Sequence, residues 1–503
     1  MDIQDAYHFL NRSVVELGIH LRRVPGSAIV IRYIKSNYQN DPIRSAVELF
    51  LFLFAVRYLL APKYSTRKEN YVKLREDEVD ELVGEWQPEP LVAEPTEIEE
   101  TDIERTPIIS GPTGTKVKLT TGKTVTNFAS YNIFNFAQND YLKDRAIATL
   151  RQYGVGPCGP PGFYGTQDLH IKTEADICNF LGVSACIVYA QAFHTISAVI
   201  PAFSKRGDII IADRACNYAI QKGLQISRSQ IRWYEHNDMG DLERVLQKTA
   251  KEQAKKPLTR RFIVTEGLFE TAGDMCNLPK IMELKEKYKY RLILDETYSF
   301  LTLGRTGRGI TEHQNVDPNM VDMIIGSLSH YCGASGGFCV GSEEIVEHQR
   351  ISGAAYVFSA ALPGMLATTA SETLGLLQVQ GPELLTQIRE LAKAFRQQVE
   401  KSDILEISSV VENPISLIRL RKEVVEDRGI EQGEGEDKLL QDIVEELLNQ
   451  GYMITRCKAL PGVVPHQPRI KVVVSSAHTK KEVEKMGTAL RQVAAKIVGK
   501  VKK

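Results

Sequence analysis

Short, nearly continuous apolar runs recur through the middle of the chain, separated by stretches long enough to form helices. Cys186–Ala190, Asp208–Ala212, Ile231–Glu235, Arg261–Thr265, Arg291–Asp295 and Met323–Gly326 are rich in β-branched and aromatic residues. Runs of this kind predict strands buried on both faces, hence a mostly parallel sheet with helices on each side. After Pro363 the pattern changes. Met365–Lys401 predicts one long helix, Ser416–Leu420 and Ile470–Val474 predict strands, and Lys480–Val498 predicts a closing helix, which together make a smaller α+β domain.

The N-terminus follows another pattern. Arg44–Ala61, RSAVELFLFLFAVRYLLA, has about the length of the roughly 20 apolar residues that cross a bilayer as a helix. Glu48 and Arg57 each cost roughly 2.5–3.5 kcal/mol at a helix centre. Both sit away from the middle, where Arg44 can pair with Glu48 and Arg57 can extend to the interface. The expectation is a transmembrane helix, with a core or interfacial helix as the alternative. No small-residue cleavage pattern follows it, so it does not read as a signal peptide. Upstream, Val14–Tyr38 mixes apolar residues with Arg22, Arg23, Arg32 and Lys35, as suits an amphipathic stretch in the headgroup region. Downstream lie Lys63, Arg67, Lys68 and Lys73, and the positive-inside rule then leans toward a cytosolic main body.

Glu76–Arg105 is dominated by acidic residues and prolines and reads as a solvated connector, although Trp86 and Leu91-Val92 could dock on a surface. Glu423–Asp437 reads as an acidic surface-loop insertion, and no solenoid repeat is visible. The expected organisation is a membrane-associated N-terminus over 1–62, an acidic connector over 63–106, a large domain over 107–362 and a small domain over 363–503.

Composition adjusts this picture in two places. With 503 residues, Lys+Arg 62 against Asp+Glu 63, 43% hydrophobic and 25% charged residues, the chain is an ordinary globular protein. A small binding module is excluded, and nucleic acid is an unlikely partner for so balanced a charge. The eight cysteines fall in no zinc-ligand spacing and are too sparse for a disulfide framework, so reduced thiols and no metal are expected.

Three segments carry candidate chemistry. Tyr153–His170, YGVGPCGPPGFYGTQDLH, is a glycine- and proline-rich loop that allows close backbone approach to a ligand or another chain, or simply joins a helix to a strand. Arg291–Gly309 contains a strand ending in Asp295-Glu296, and the C-terminal end of a parallel strand is where α/β sheets place ligands; a surface cap would look similar. Met323–Gly341 is a strand running into a Gly/Ser-rich turn with His330 in it, readable as a base, a ligand or a satisfied polar residue.

In this order, with EGLFETAGDMCNLPKI (Glu266–Ile281), GSLSHYCGASGGF (Gly326–Phe338) and FSAALPG (Phe358–Gly364), the segments resemble the α-oxoamine synthase family over about residues 108–500. The resemblance implies a pyridoxal-phosphate-dependent transferase of fold type I, aspartate-aminotransferase-like, with a large α/β domain and a smaller α+β C-terminal domain. Such enzymes condense an amino acid with an acyl-CoA. The family's Schiff-base lysine lies in G-T-L-S-K-A-F-G, where this chain has His330. An imidazole cannot form that imine. The family's ring-hydroxyl histidine is here Tyr298, its ring-stacking histidine Asn217 and its phosphate-side threonine Ala360, while Asp295, the pyridinium partner, is retained.

That set of losses, with the N-terminal apolar run, resembles the non-catalytic long-chain-base subunits of eukaryotic, most closely fungal, serine palmitoyltransferases. The resemblance implies a heterodimer whose lysine-bearing catalytic partner holds pyridoxal 5'-phosphate, with none bound covalently by this chain. The reaction would join L-serine to palmitoyl-CoA, giving 3-ketodihydrosphingosine in the first step of sphingolipid synthesis, at the endoplasmic reticulum membrane. A small activating subunit and ORM-type regulators are further implied partners. Cys158, Phe163, Tyr164, Ser335 and Ser359 are the candidates for lining the partner's site, or for packing the interface. Two alternatives are a membrane-bound scaffold with a degenerate synthase fold and an independently active α-oxoamine synthase with a displaced lysine.

Overall fold

The computed structural model describes residues 26–60, 74–92, 94–458 and 467–499. The chain divides into two compact units, Met1–Glu94 and Pro95–Lys503.

In the first unit the described helices are Ser27–Asn40, Pro42–Leu60 and Glu76–Glu85. The expected transmembrane span finds no support. A helix forms where the apolar run lies, yet no helix among the described residues is long and apolar enough to cross a membrane. Within the 19 residues of Pro42–Leu60 stand Arg44, Glu48 and Arg57, with Arg44 and Glu48 paired at 2.9 Å. The uncharged stretch between Glu48 and Arg57 is only about 12 Å long at 1.5 Å per residue, against a hydrocarbon core of about 30 Å. Leu49 through Phe54 are all exposed, each by more than half. The part of the amphipathic stretch before Gly26 and the basic residues from Lys63 to Lys73 lie outside the described residues.

The acidic connector carries the helices Glu76–Glu85 and Glu97–Arg105. Glu97–Arg105 starts at a capping box in which Thr96 N donates to Glu99 Oε2 at 2.8 Å. This helix is fastened to its unit by buried ion pairs: Arg456 meets Asp102 at 2.8 Å and Asp437 at 2.9 Å. Trp86 remains exposed. The acidic Glu423–Asp437 patch is no simple loop, since it takes in all but the first residue of the helix Lys422–Arg428 and the first turn of Glu434–Asn449.

Fourteen strands are described, all in the second unit. β1 (Lys116–Lys118) and β2 (Thr124–Asn127) pair antiparallel, and β12 (Tyr452–Met453) adds parallel to β2. The main sheet contains β3 (Ala185–Tyr189), β4 (Ile209–Asp213), β5 (Gln230–Tyr234), β6 (Arg261–Glu266), β7 (Arg291–Asp295), β8 (Met323–Ser327) and β9 (Gly337–Gly341), in the order β3-β9-β8-β7-β6-β4-β5. β4 to β8 run parallel, while β9 is antiparallel to both its neighbours. Both faces are covered, as the continuous apolar runs require. Ile211, Ile263, Leu292, Leu294 and Ile324 enter one core, and Ile210, Val264, Ile293, Met323 and Ile325 enter another. β9 was missed as a separate strand because its two glycines and short GFCVG sequence read as an extension of the preceding turn.

The smaller antiparallel sheet joins β10 (Leu405–Ile407), β11 (Ile415–Leu420), β13 (Thr455–Arg456) and β14 (Ile470–Val473) in the order β10-β11-β14-β13. Its core includes Leu440, Ile443, Val472 and Leu490. The 36-residue helix Gly364–Val399 supplies Leu374 and Leu377 to the core of the main sheet and Leu391, Phe395 and Val399 to this second one.

Candidate functional site

Three parallel strands end in acids: β4 in Asp213, β6 in Glu266 and β7 in Asp295. Glu266 lies opposite Asp295 in the sheet register. Burial raises the pKa of both carboxyls, and for Glu266 the adjacent Asp295 adds to the effect. Asn217 joins them. Its side-chain Nδ2 donates to Asp295 Oδ2 at 2.9 Å, its backbone N donates to Glu266 Oε1 at 2.6 Å, and its Oδ1 caps the helix Tyr218–Ser227 by accepting from Ile220 N at 3.0 Å. Thr297 N donates to the other Asp295 oxygen at 2.9 Å. The retained carboxylate is therefore satisfied by groups of its own chain.

Asp213 is committed elsewhere. His236 bridges it to Asp274, with Nδ1 at 2.9 Å from Asp213 and Nε2 at 3.0 Å from Asp274. Burial opposes the imidazolium charge, but the two carboxylates outweigh it and push the His236 pKa up to about 10.

His330 sits after β8, where the resemblance calls for a lysine. Ser329 N donates to Ser327 Oγ at 3.1 Å, and that hydroxyl lies 2.7 Å from His330 Nδ1, placed to donate its own proton there. Around the ring stand three tyrosines: Tyr131 and Tyr298, each with its centroid at 5.0 Å, and Tyr331 at 6.0 Å. Burial in this aromatic cluster lowers the His330 pKa to about 4. The imidazole is neutral at pH 7.

Lys471, on β14, approaches the same cluster. Its Nζ donates to Tyr131 Oη at 2.6 Å and lies 3.5 Å from Glu270. Burial disfavours its charge, but Tyr131 and Glu270 outweigh that and raise its pKa above the ordinary lysine value. A Schiff-base amine must be available as the free base, and Lys471 is held as the ammonium. Histidine at position 330, an aspartate already bonded by Asn217 and a tyrosine-filled surround do not fit a covalently held pyridoxal phosphate.

The candidates for lining a partner's site lie on the glycine-rich loop, on the turn that follows His330 and on the FSAALPG segment. Cys158 and Tyr164 are exposed in left-handed backbone, with φ 56° and 64°. Such conformations cost a non-glycine residue energy and persist only where the surroundings impose them. Tyr164 is fully exposed and Phe163 mostly so. Ala361 N donates to Gly159 O at 2.9 Å, joining the FSAALPG segment to the glycine-rich loop, and Ala360 lines a small cavity with Pro161, Thr166 and Ala190. Ser335 reaches the same neighbourhood by donating to Ala190 O at 3.3 Å. Ser359 is half-buried beside an exposed Phe358.

Sequence reasoning missed Tyr131, Glu270, Lys471 and Ser327. Their contacts with His330 or with one another join separate parts of the chain, except for Ser327, whose spacing of three from His330 was a readable signal. Among the described residues, no group of three or more His, Cys, Asp or Glu side chains is arranged to hold a metal ion.

The neutral His330 gives a pH prediction. An unfolded imidazole takes its proton near pH 6.5 and this one near 4, so in that window the unfolded chain binds more protons and His330 makes folding less favourable as pH falls. The stability difference between the parent and His330→Gln, followed by thermal melting, is expected to shift in the variant's favour from pH 6.5 to 4. A constant difference would contradict the burial of a neutral ring.

The model of the aminotransferase class I and II family matches residues 131–490. The rice protein "Long chain base biosynthesis protein 1c" is 36% identical over 452 residues, covering 89% of this chain and 91% of that protein. "Serine palmitoyltransferase 1" of Saccharomyces cerevisiae is 34% identical over 518 residues, covering 94% and 92%. Among solved structures, a serine palmitoyltransferase from S. paucimobilis with a bound PLP–myriocin aldimine superposes with a TM-score of 0.69 at 20% identity, over 78% of this chain and 93% of that one. At that identity the structural likeness speaks for the fold, which is that of the PLP-dependent aminotransferase-like enzymes.

Proposed function

We propose, from the premise that this chain belongs to the serine palmitoyltransferase 1 (long chain base biosynthesis protein 1) family, that it is a subunit without a Schiff-base lysine, which works only beside a partner that carries one. The activity is that of serine palmitoyltransferase in sphingolipid biosynthesis: condensation of L-serine with palmitoyl-CoA, releasing carbon dioxide and CoA. On this reading pyridoxal phosphate is carried by the partner, and the surface formed by Cys158, Phe163, Tyr164, Ser335 and Ser359 lines the partner's site. The observation that carries it is His330, neutral and ringed by three tyrosines, with the adjacent Lys471 held protonated.

The reading also places the complex at the endoplasmic reticulum membrane with its main body in the cytosol. The helix Pro42–Leu60 supports membrane attachment through its exposed leucines and phenylalanines, and so does an acyl-CoA substrate that partitions toward lipid. A small activating subunit and ORM-type regulators complete the proposed assembly.

Expression alone and with the partner tests the central claim. Alone, the chain is expected to give no product and no borohydride-trapped pyridoxyl peptide. Together the two chains should turn over, with the trapped peptide coming from the partner. A pyridoxyl-lysine in this chain, at Lys471 or elsewhere, would falsify the proposal.

A further inference from the structure

The carboxylates occupy one end of the main sheet, and basic residues occupy the other. Ile209 pairs with Gln230 and with Arg261, and Phe262 pairs with Arg291, so the starts of β4, β5, β6 and β7 lie level. The connections leading into the first three carry Lys205, Arg206, Arg228, Lys255, Lys256 and Arg260, all exposed. Hydrogen bonds fix these connections into one surface: Gln230 N donates to Asp208 O at 2.8 Å, Arg260 N to Asp208 Oδ1 at 3.0 Å, and Ser229 Oγ to Lys205 O at 3.1 Å.

Little negative charge is present to neutralise the six. Among the described residues none of them has a carboxylate within ion-pair distance. Asp208 is buried and gives both oxygens to backbone N–H groups, of Arg260 and Lys205. Glu252 is already paired with Arg232, and Lys248 and Lys256 add to the positive field around it. At the crest of the connection into β6, Leu258 is 91% exposed, with Pro257 before it and lysines and an arginine on either side. Packing within the fold does not explain an apolar side chain in that position. The surface also lies at the β5 edge of the sheet, while the glycine-rich loop adjoins β3 at the opposite edge.

We infer that this edge docks on an anionic phospholipid surface, with the basic side chains meeting phosphates and Leu258 entering the acyl boundary. A level row of cations with one exposed apolar residue at its crest suits a lipid surface. A nucleic-acid backbone would use the charge but gain nothing from the leucine. The inference does not depend on the helix Pro42–Leu60, which carries no comparable basic row.

The test uses the full chain in complex with its partner and phosphatidylcholine vesicles, with and without phosphatidylserine. Excess binding to the anionic vesicles is expected, falling with added salt. Lys205→Glu/Lys255→Glu/Lys256→Glu should cut that excess about ten-fold or more, and Lys255→Gln/Lys256→Gln by less, both with unchanged melting temperature. Leu258→Asp should weaken it as well. Binding to neutral vesicles should stay as in the parent, because that arm reads the N-terminal helix. The inference is overturned if the charge-reversed complex keeps its full anionic excess. It is also overturned if the variant loses a co-purifying acidic protein while its vesicle binding is unchanged, since the edge would then be a protein-docking surface.

Discussion

A complex carrying Gly165→Val is expected to assemble yet lose turnover by as much as ~10²-fold, the scale of a 1 Å misplacement near a reacting centre. A Cβ at position 165 would lie 2.1 Å from Gly159 O and 2.6 Å from Pro160 O. Both are backbone atoms, so no rotamer change relieves the contact. Gly165 N donates to Pro160 O at 3.0 Å, and Gly159 O holds Ala361 N at 2.9 Å, so opening the loop moves Phe163, Tyr164 and the FSAALPG segment together. Overpacking of this kind costs about 1–3 kcal/mol, which a core of this extent tolerates. The loss should therefore appear in kcat of the complex more than in co-purification of the two chains. Gly162→Ala is the control, because a Cβ there meets nothing within 4 Å. Unchanged turnover in the valine variant would mean that the loop does not shape the partner's site.

Truncating Arg456 should have the largest effect on stability. Its side chain is 3% exposed and lies between Asp102, on the helix Glu97–Arg105, and Asp437. Arg456→Ala leaves two carboxylates facing each other with little water, a change that costs about 3–5 kcal/mol when one member of a buried ion pair is removed. Lys458 is 3.4 Å from Asp102 but half exposed, which places the expected loss toward the lower end of that range. Urea unfolding should show the lowered midpoint. Replacing the whole cluster, as Asp102→Leu/Arg456→Met/Asp437→Leu, should recover most of it, because no unpaired charge is then left inside. If the single variant unfolds like the parent, the helix Glu97–Arg105 is not held by this cluster.

Those two acids also show where reading the sequence stopped. Glu76–Arg105 looked like a solvated connector because its charges were weighed by number. The local signal for a helix was present in Thr96-Glu97-Ile98-Glu99, a capping box spelled out in four residues. The signal for its attachment was absent, because Asp102 finds Arg456 across most of the chain. The same limit governs the site. β6, β7 and β8 were legible from their apolar runs, and His330 from its motif, since both kinds of information are local. Tyr131, Glu270 and Lys471 come from distant segments, and only the fold brings them to one place. The apolar run Arg44–Ala61 was legible as a helix, and the helix Pro42–Leu60 forms there, but Arg44, Glu48 and Arg57 leave Leu49–Val56 as the longest stretch free of charge within it.

The helix Gly364–Val399 has a consequence for how the molecule comes apart. It inserts side chains into the cores of both sheets, and at 1.5 Å per residue its 36 residues run about 54 Å, with Pro382 the one proline inside it. Fraying either half strips apolar cover from the other, so amide protons in β7 and in β11 should exchange through one common opening. A cut at residue 363 would leave the larger piece without the wall made by Leu374 and Leu377. The boundary between sheets is thus no seam: the helix welds two architectures into a single cooperative unit, and neither could be lost, swapped or inherited without it.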